Sequence, residues 1–420
     1  MLTFATACAR GPAPATERST AQAPPSAAAP TRSPVPATDT TIHGSLTREH
    51  GQRVLRVWGS PFQRGYAHGA LVRDGIVEVV AHYALDVISP AQLDLAATAM
   101  SGLLDVPPSL REEAEGVIAG MRDHGGVHID ALQRALDVDD LLALNAMADL
   151  VRLGCSSLSA WGESTAGELD GAAAVVRNLD WSDDPQLLAQ QLVIVSQPDD
   201  PTRMTTVSVG FSGYIACLSC INEAGVTALF NLGPAGEGPG LLAAAGGFAP
   251  ANLLLRDAIE RRDVDGDGRT SAADVESAVR GARHAGRWLV HLLEPRREGA
   301  APAAVLEVDD GGVVRRDATG THLAATNHFR SRLAPGDEPV ACPRYRRLQR
   351  GARGGPLDRA GLWQLGRSVR LPAVVHQLAI EPGSRALSLW LRAPAEAADS
   401  DAAPVSWSWD ALVRRAPAGG

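Results

Sequence analysis

One stretch limits the fold more than any other. Gly154-Cys155-Ser156-Ser157-Leu158-Ser159-Ala160-Trp161-Gly162 reads as a strand headed by a cysteine. A polar turn follows from Glu163 to Asp170, and Ala172-Ala173-Ala174-Val175-Val176 then leads into Arg177-Asn178-Leu179-Asp180-Trp181. The pattern is two strands joined by a loop, with a thiol at the head of the first and a charged pair at the end of the second. Before Cys155 the chain has a short strand around 53–57. It then shows helical spacing over 66–88, from the Pro107-Pro108-Ser109 start to 121, and over 129–151. After Cys155 strands are expected near 172–178, 189–197, 203–210, 213–221 and 225–231, followed by helices at 249–262 and 271–293. Strands near 302–308 and 322–326, helices at 343–351 and 358–368, and strands near 371–380 and 386–393 complete the pattern. Many strands flanked by helices predict a layered α+β sandwich.

The chemistry suggested by Cys155 follows from its position. A cysteine made N-terminal by cutting its own preceding peptide bond carries nucleophile and base on one residue. The thiol attacks, and the freed α-amine, with a reference pKa of about 8, takes the proton at neutral pH. The bland reading is a small buried residue at the start of a core strand. His68 and His328 invite a Cys–His dyad instead, but neither papain-type local signature is present.

Composition narrows the classes. At 420 residues and 45% apolar content the chain can bury a sizeable core, as one large domain or two small ones. A net charge of −9 with no basic block argues against nucleic acid and anionic membrane surfaces as main partners. No stretch approaches 18 uninterrupted apolar residues, so no transmembrane helix is indicated. The five cysteines, an odd number, do not look like a disulfide framework. Cys217 and Cys220 fall in an expected strand, where i and i+3 point to opposite faces, so they read as small buried residues rather than a redox pair or metal site. Residues 9–42 are rich in Ala, Pro, Thr and Ser and read as a disordered tether. Phe4-Ala5-Thr6-Ala7-Cys8 just before it suggests a bacterial lipoprotein signal with lipidation at Cys8, although the charged n-region is missing. The alternative is a disordered N-terminus without meaning.

Further motifs appear in order. They are Trp58-Gly59-Ser60-Pro61-Phe62-Gln63-Arg64-Gly65-Tyr66-Ala67-His68-Gly69, Asn222-Glu223-Ala224-Gly225-Val226 before a strand ending at Asn231, Thr326-Asn327-His328-Phe329, and Arg344-Tyr345-Arg346-Arg347-Leu348. With Gly154-Cys155-Ser156-Ser157 and Arg177-Asn178-Leu179-Asp180-Trp181 they resemble the penicillin acyltransferases (acyl-coenzyme A:isopenicillin N acyltransferase) among the Ntn hydrolases, and the related choloylglycine hydrolases. The resemblance covers about 44–412. It implies a four-layer αββα sandwich, cleavage between Gly154 and Cys155, a helical α chain (44–154) and a β chain (155–412) that stay associated, and a disordered tail at 413–420. It further implies that Asp180 holds the new α-amine, that Arg177 lowers the thiol pKa, that Asn327 and more weakly Asn231 serve the oxyanion, and that Arg344 supports Asp180. Since Arg177 and Asp180 face opposite ways in a regular strand, both reach Cys155 only if the strand breaks around Asn178–Leu179. Gly154 is expected to allow the strained geometry of attack on its carbonyl.

A separate motif lies in 263–274. Asp263, Asp265 and Asp267 hold positions 1, 3 and 5 of a twelve-residue EF-hand loop, with Gly268 at 6, the Arg269 carbonyl at 7, Ser271 at 9 and Asp274 at 12. The loop resembles the Asp-terminated loops of dockerin-like modules and predicts a structural Ca2+. An acidic helix–helix turn without metal is the plain alternative. The leading expectation is a self-processing amidohydrolase or N-acyltransferase acting on a small-molecule amide through a Cys155 thioester, with no cofactor for the chemistry. It would be extracytoplasmic, with a cytoplasmic location still open. The rivals are a non-catalytic, calcium-stabilised surface protein on the same fold and a thioesterase- or phospholipase-like use of the same thiol.

Overall fold

The computed structural model describes residues 40–149, 154–234, 247–333 and 338–415. Cys8 and the expected tether up to residue 39 lie outside these residues, as does the end of the expected tail.

Two sheets dominate. Nine strands form the first in the order Gly44–Glu49, Gln52–Gly59, Gln191–Pro198, Thr206–Phe211, Ser219–Asn222, Thr227–Leu232, Trp288–Leu293, Ala303–Asp309 and Gly312–Asp317. Six form the second: His322–Ala325, Gly154–Ala160, Ala174–Asp180, Val374–Glu381, Ala386–Leu391 and Val405–Trp407. Neighbours are antiparallel except for Gln52–Gly59 beside Gln191–Pro198.

Side-chain alternation builds the layers. Val54, Val193, Val195, Leu229, Leu289 and Val305 of the first sheet pack on Val175, Leu323, Leu378 and Leu389 of the second. The alternate residues Leu55, Ile194, Phe230, Val290 and Leu306 face out, onto helices Pro61–Val79, Pro108–Asp123, Ala251–Glu260 and Ala272–Gly281. On the other side Leu158, Val176 and Ala324 meet helices Pro343–Ala352 and Arg359–Arg367. The architecture is the expected four-layer αββα sandwich.

The opening motif is explained by the first helix. Ser60 and Gln63 form a capping box with Pro61 at its first position. Gly65 and Gly69 then lie against Gly116 and Gly120 of Pro108–Asp123. A Cβ on Gly65 would stand 1.8 Å from the Glu113 carbonyl oxygen, and one on Gly120 would stand 2.1 Å from that of Tyr66. The two backbones touch, so neither helix tolerates a side chain there. Fully buried Arg64 pairs with Glu113 at 3.0 Å and Glu260 at 3.5 Å, tying three helices together.

The helical reading of 129–151 holds as an α-helix only over Val138–Asn145, since His128–Ile129 and Arg134–Ala135 pair as a small hairpin, and two further expectations fail. The helix expected over 271–293 stops at Gly281, and Trp288–Leu293 is a strand. Buried on both sides, that strand has no alternation to distinguish it from a helix. The strand expected over 213–221 begins only at Ser219, because Gly213 turns the chain at φ +83°. The parity argument for Cys217 and Cys220 therefore lapses, and the two sulfurs form a disulfide.

Candidate active site

The site forms where Gly154–Ala160 and Ala174–Asp180 run side by side, pairing Gly154 with Asp180, Cys155 with Leu179 and Ser157 with Arg177. The second strand does not break at Asn178–Leu179; it is continuous to Asp180. The irregularity lies next door, as a bulge between Val374 and His376. Arg177 and Asp180 do face opposite ways, and both still address Cys155, because they address different parts of it. The thiol points into the gap between the sheets, where Arg177 is. Gly154 and the Gly154–Cys155 peptide lie on the other face, where Asp180 is.

On the thiol side, Arg177 Nη2 approaches Cys155 Sγ at 3.6 Å and donates to the Phe230 carbonyl at 2.8 Å. Its Nη1 donates to Asn231 Oδ1 at 3.0 Å. Asn231 Nδ2 in turn donates to the Thr326 carbonyl at 3.1 Å. Arg177 and Cys155 are both fully buried. No carboxylate forms an ion pair with Arg177 among the described residues; it hydrogen-bonds the thiol, and Cys155 and Asp180 both act on its charge. Burial pushes the Cys155 thiol up; Arg177 is the largest opposing influence, with Arg344 and the Leu232 amide pulling the same way. In the uncut chain burial wins, so the implied lowering of the thiol by Arg177 is only partial.

On the amine side, the Cys155 N–H donates to Asn327 Oδ1 at 2.8 Å. Arg344 Nη2 donates to the same oxygen at 3.0 Å, and its Nη1 donates to Asp180 Oδ2 at 2.9 Å. The Leu371 amide donates to Asp180 Oδ1 at 3.1 Å. Asn327 Nδ2 donates to the Leu232 carbonyl at 2.8 Å. Burial raises Asp180 to about 6, against the pull of Arg344. Gly154, Cys155, Arg177, Asp180, Asn231, Asn327 and Arg344 thus converge at one place from five elements.

Gly154 has no positive φ and lies in a regular strand, so conformational freedom is not its role. A Cβ there would stand 2.9 Å from Leu371 Cδ1 and 3.1 Å from Asp180 Cβ. The missing side chain makes room for Asp180 against the Gly154–Cys155 bond. Gly154→Ala should therefore push Asp180 aside and slow any cleavage at this bond at least tenfold while the fold persists. A time course of intact mass after cell-free synthesis checks it.

The remaining sequence candidates separate cleanly. Asn222 caps its own turn, accepting from the Ala224 and Val226 amides, and is not part of the site. His68 Nε2 accepts from the Gly213 amide at 2.9 Å, and burial lowers its pKa to about 4. His328 is half-buried, and no hydrogen bond joins it to Cys155 among the described residues. Arg346, Arg347 and Arg350 lie on the same helix as Arg344 without reaching Asp180.

At the acidic loop, one carboxylate oxygen from each of Asp263, Asp265 and Asp267 lies within 4.8 Å of the others. Arg269 gives its amide to Asp267 Oδ1 at 2.8 Å. Ser271 caps helix Ala272–Gly281, and buried Asp274 accepts from the Val264, Asp265 and Ser271 amides. Three of the six expected ligands converge, while Ser271 and Asp274 shape the loop backbone.

Sequence reasoning missed Asn145. Its Oδ1 accepts from Ile215 at 2.7 Å and Ala216 at 3.2 Å, and its Nδ2 donates to Gly213 at 3.0 Å. With His68 it grips the Gly213–Ala216 turn from the segment that precedes Cys155. That turn presents Tyr214 to Trp181 and Phe211, and Trp181 donates to Tyr83 at 2.6 Å. A lone Asn at a helix end carries no local signal of such a role.

No family model matches the chain. A curated protein of Archaeoglobus fulgidus, described only as uncharacterized, is 23% identical over 285 residues, 62% of this chain and 44% of that protein. The chain thus spans less than half the length of that relative. Among solved structures, the N-acylethanolamine-hydrolyzing acid amidase ortholog of Caenorhabditis elegans aligns with a TM-score of 0.41 and 15% identity over 55% of this chain and 93% of that one. Penicillin V acylase from Agrobacterium tumefaciens gives 0.34 and 13% over 56% and 83%. Conjugated bile acid hydrolase from Clostridium perfringens, in a mutant form, gives 0.34 and 10% over 62% and 95%. These overlaps are loose, and the architecture rests on the two sheets and their three packed interfaces.

Proposed function

We propose that the chain is a self-processing N-terminal-nucleophile amidohydrolase that cleaves a non-peptide C–N amide bond, or passes the acyl group to an amine. The observation that carries this reading is the division of labour around Cys155, with a buried cation at its thiol and the Asn327–Arg344–Asp180 chain at its backbone nitrogen. Such a division has a use only if that nitrogen becomes an amine.

In the self-cleavage step Sγ bonds to the Gly154 carbonyl carbon, the Gly154–Cys155 C–N bond breaks, and the thiol proton goes to the released amine. Water hydrolyses the resulting thioester to leave the Gly154 carboxylate and a free thiol. In turnover the amine takes the thiol proton and delivers it to the leaving amine of the substrate, and water or an acceptor amine resolves the new thioester. Asp180 and Asn327 hold the amine. Asn231, whose Nδ2 has a second N–H, and the Leu232 amide are placed to serve the oxyanion. The test is intact-mass spectrometry of the purified protein followed by a panel of small amides. Fragments meeting at Gly154/Cys155 and amide turnover support the reading; an uncut chain with no turnover rejects it, leaving a calcium-stabilised surface protein as the better account.

We propose a structural Ca2+ at Asp263, Asp265 and Asp267. Hard carboxylate oxygens in a loop turned by Gly266 and Gly268, both at positive φ, suit that ion. Saturation to a hundred times Kd stabilises a fold by about 2.7 kcal/mol. Melting should therefore rise by several degrees on adding Ca2+ to chelator-treated protein, and Asp265→Ala should remove the increment. Equal melting with and without Ca2+ would rule the ion out. The Cys217–Cys220 disulfide favours an oxidising, extracytoplasmic location, to which a lipid anchor at Cys8 would hold the protein.

A further inference from the structure

Glu307 is a fully buried carboxylate in strand Ala303–Asp309, on the face that looks into the gap between the sheets. Its Oε1 accepts from the Arg330 amide at 2.8 Å and Arg316 Nε at 3.0 Å. Its Oε2 accepts from the Ser331 amide at 2.9 Å and the Arg332 amide at 2.8 Å. Arg316, on the neighbouring strand Gly312–Asp317, also donates from Nη2 to the Ala324 carbonyl at 3.0 Å. The pair therefore grips the backbone on both sides of one turn, at Ala324 before it and at 330–332 after it. Asn327 stands in that turn and holds the Cys155 nitrogen and Arg344.

We propose that Glu307 and Arg316 are positioning residues for Asn327, and through it for the Cys155 nitrogen. The inference rests on Cys155 being the nucleophile of the reaction described above. A carboxylate suits this place because it accepts everywhere and donates nowhere. Four N–H donors meet its two oxygens, and three of them are consecutive backbone amides whose acceptor among the described residues is Glu307. Glutamine would turn one oxygen into a donor facing two donors, and the turn would have to move to relieve it. Asn327 would move with the turn, and displacements near 1 Å at a reacting centre cost on the order of a hundredfold in rate.

The test measures self-cleavage by intact mass over time after cell-free synthesis, for wild type, Glu307→Gln, Glu307→Asp and Leu412→Ala. Leu412 is a buried residue of the last helix, Trp409–Val413, and its truncation supplies a destabilised control. The expected result is cleavage about a hundredfold slower in Glu307→Gln, with at least tenfold of that loss restored in Glu307→Asp. The control should be cut at the wild-type rate despite a comparable drop in melting temperature. If Glu307→Gln does not fold, Arg316→Lys replaces it; it keeps the charge beside Glu307, loses the second contact to Ala324, and should slow cleavage about tenfold. Wild-type cleavage with Glu307→Gln equally fast, or slowed no more than the control, overturns the positioning role alone. A wild-type chain that stays whole overturns both this role and the nucleophile reading.

Discussion

Cys155→Ala should purify as one uncut chain where the wild type separates into two fragments meeting at Gly154/Cys155. The expectation comes from the isolation of the thiol. The other free cysteine among the described residues, Cys342, lies at the cap of helix Pro343–Ala352, and no hydrogen bond there joins it to the Gly154–Cys155 bond. Serine and histidine are close, but His291 is held between Ser157 and Ser159 at 2.8 Å on each side, and burial lowers its pKa to about 3. That imidazole stays neutral and points its nitrogens at hydroxyls, not at Sγ. Removing the nucleophile from a catalytic group that works as a unit costs about 10⁶ in turnover, so Cys155→Ala should also lack measurable amide hydrolysis. Its fold should be nearly untouched, since a buried thiol behaves as a small apolar group. Cys155→Ser should be cut slowly through the corresponding oxygen ester. An alanine variant that still splits at this bond would place the nucleophile elsewhere.

Arg177→Met should slow self-cleavage at least a hundredfold while leaving the melting temperature equal to or above that of the wild type. The two halves follow from different energies. Arg177 is a fully buried guanidinium which, among the described residues, has no carboxylate ion-pair partner and no acceptor for its Nε, and burial depresses its pKa. Burying a charge costs several kcal/mol even after relaxation. Against this, methionine leaves Asn231 Oδ1 and the Phe230 carbonyl without their donor, at about 1–3 kcal/mol each. The terms nearly cancel, and a side chain of similar length fills the space. The chemistry has no such offset. Arg177 is the largest influence favouring the Cys155 thiolate, and loss of one preorganised charge-stabilising group typically costs about 10²–10³ in rate. The measurements are thermal melting, the cleavage time course, and the pH dependence of Cys155 alkylation in cut protein, which should move upward in the variant. A loss of stability as large as that for breaking a buried ion pair, about 3–5 kcal/mol, would show that Arg177 serves the fold and not the thiol.

Much of the layered fold could be read in advance, for reasons that differ by element. The strand pairs around Cys155 and at 374–391 show local apolar runs ended by turns. Helices 343–352 and 359–367 have clear starts at Pro343 and Asp358. Strand Trp288–Leu293 did not show itself, because a central strand covered on both faces needs no polar positions. Glu307 was legible in principle: a lone acid in Ala303-Ala304-Val305-Leu306-Glu307-Val308 lies on the inward alternation, and a carboxylate there must find donors. What it holds was not legible, since Arg330–Arg332 come more than twenty residues later.

The sequence by itself determined the nucleophile candidate and the partners that motifs carry, because residue type and order suffice to name a thiol, an Arg-x-x-Asp pair and a late Asn and Arg. It also determined a layered α+β class, because alternation and helical period are local properties; the four-layer order was implied only by the resemblance. Only the tertiary structure decided how these partners share Cys155. A strand places successive side chains on opposite faces, so Arg177 and Asp180 look mutually exclusive in one dimension. Packing the first sheet on one face and helix Pro343–Ala352 on the other gives each face its own half of the cysteine. Gly154 acquired its reason in the same way: what it lacks makes room for Asp180, and that room is a property of two strands side by side.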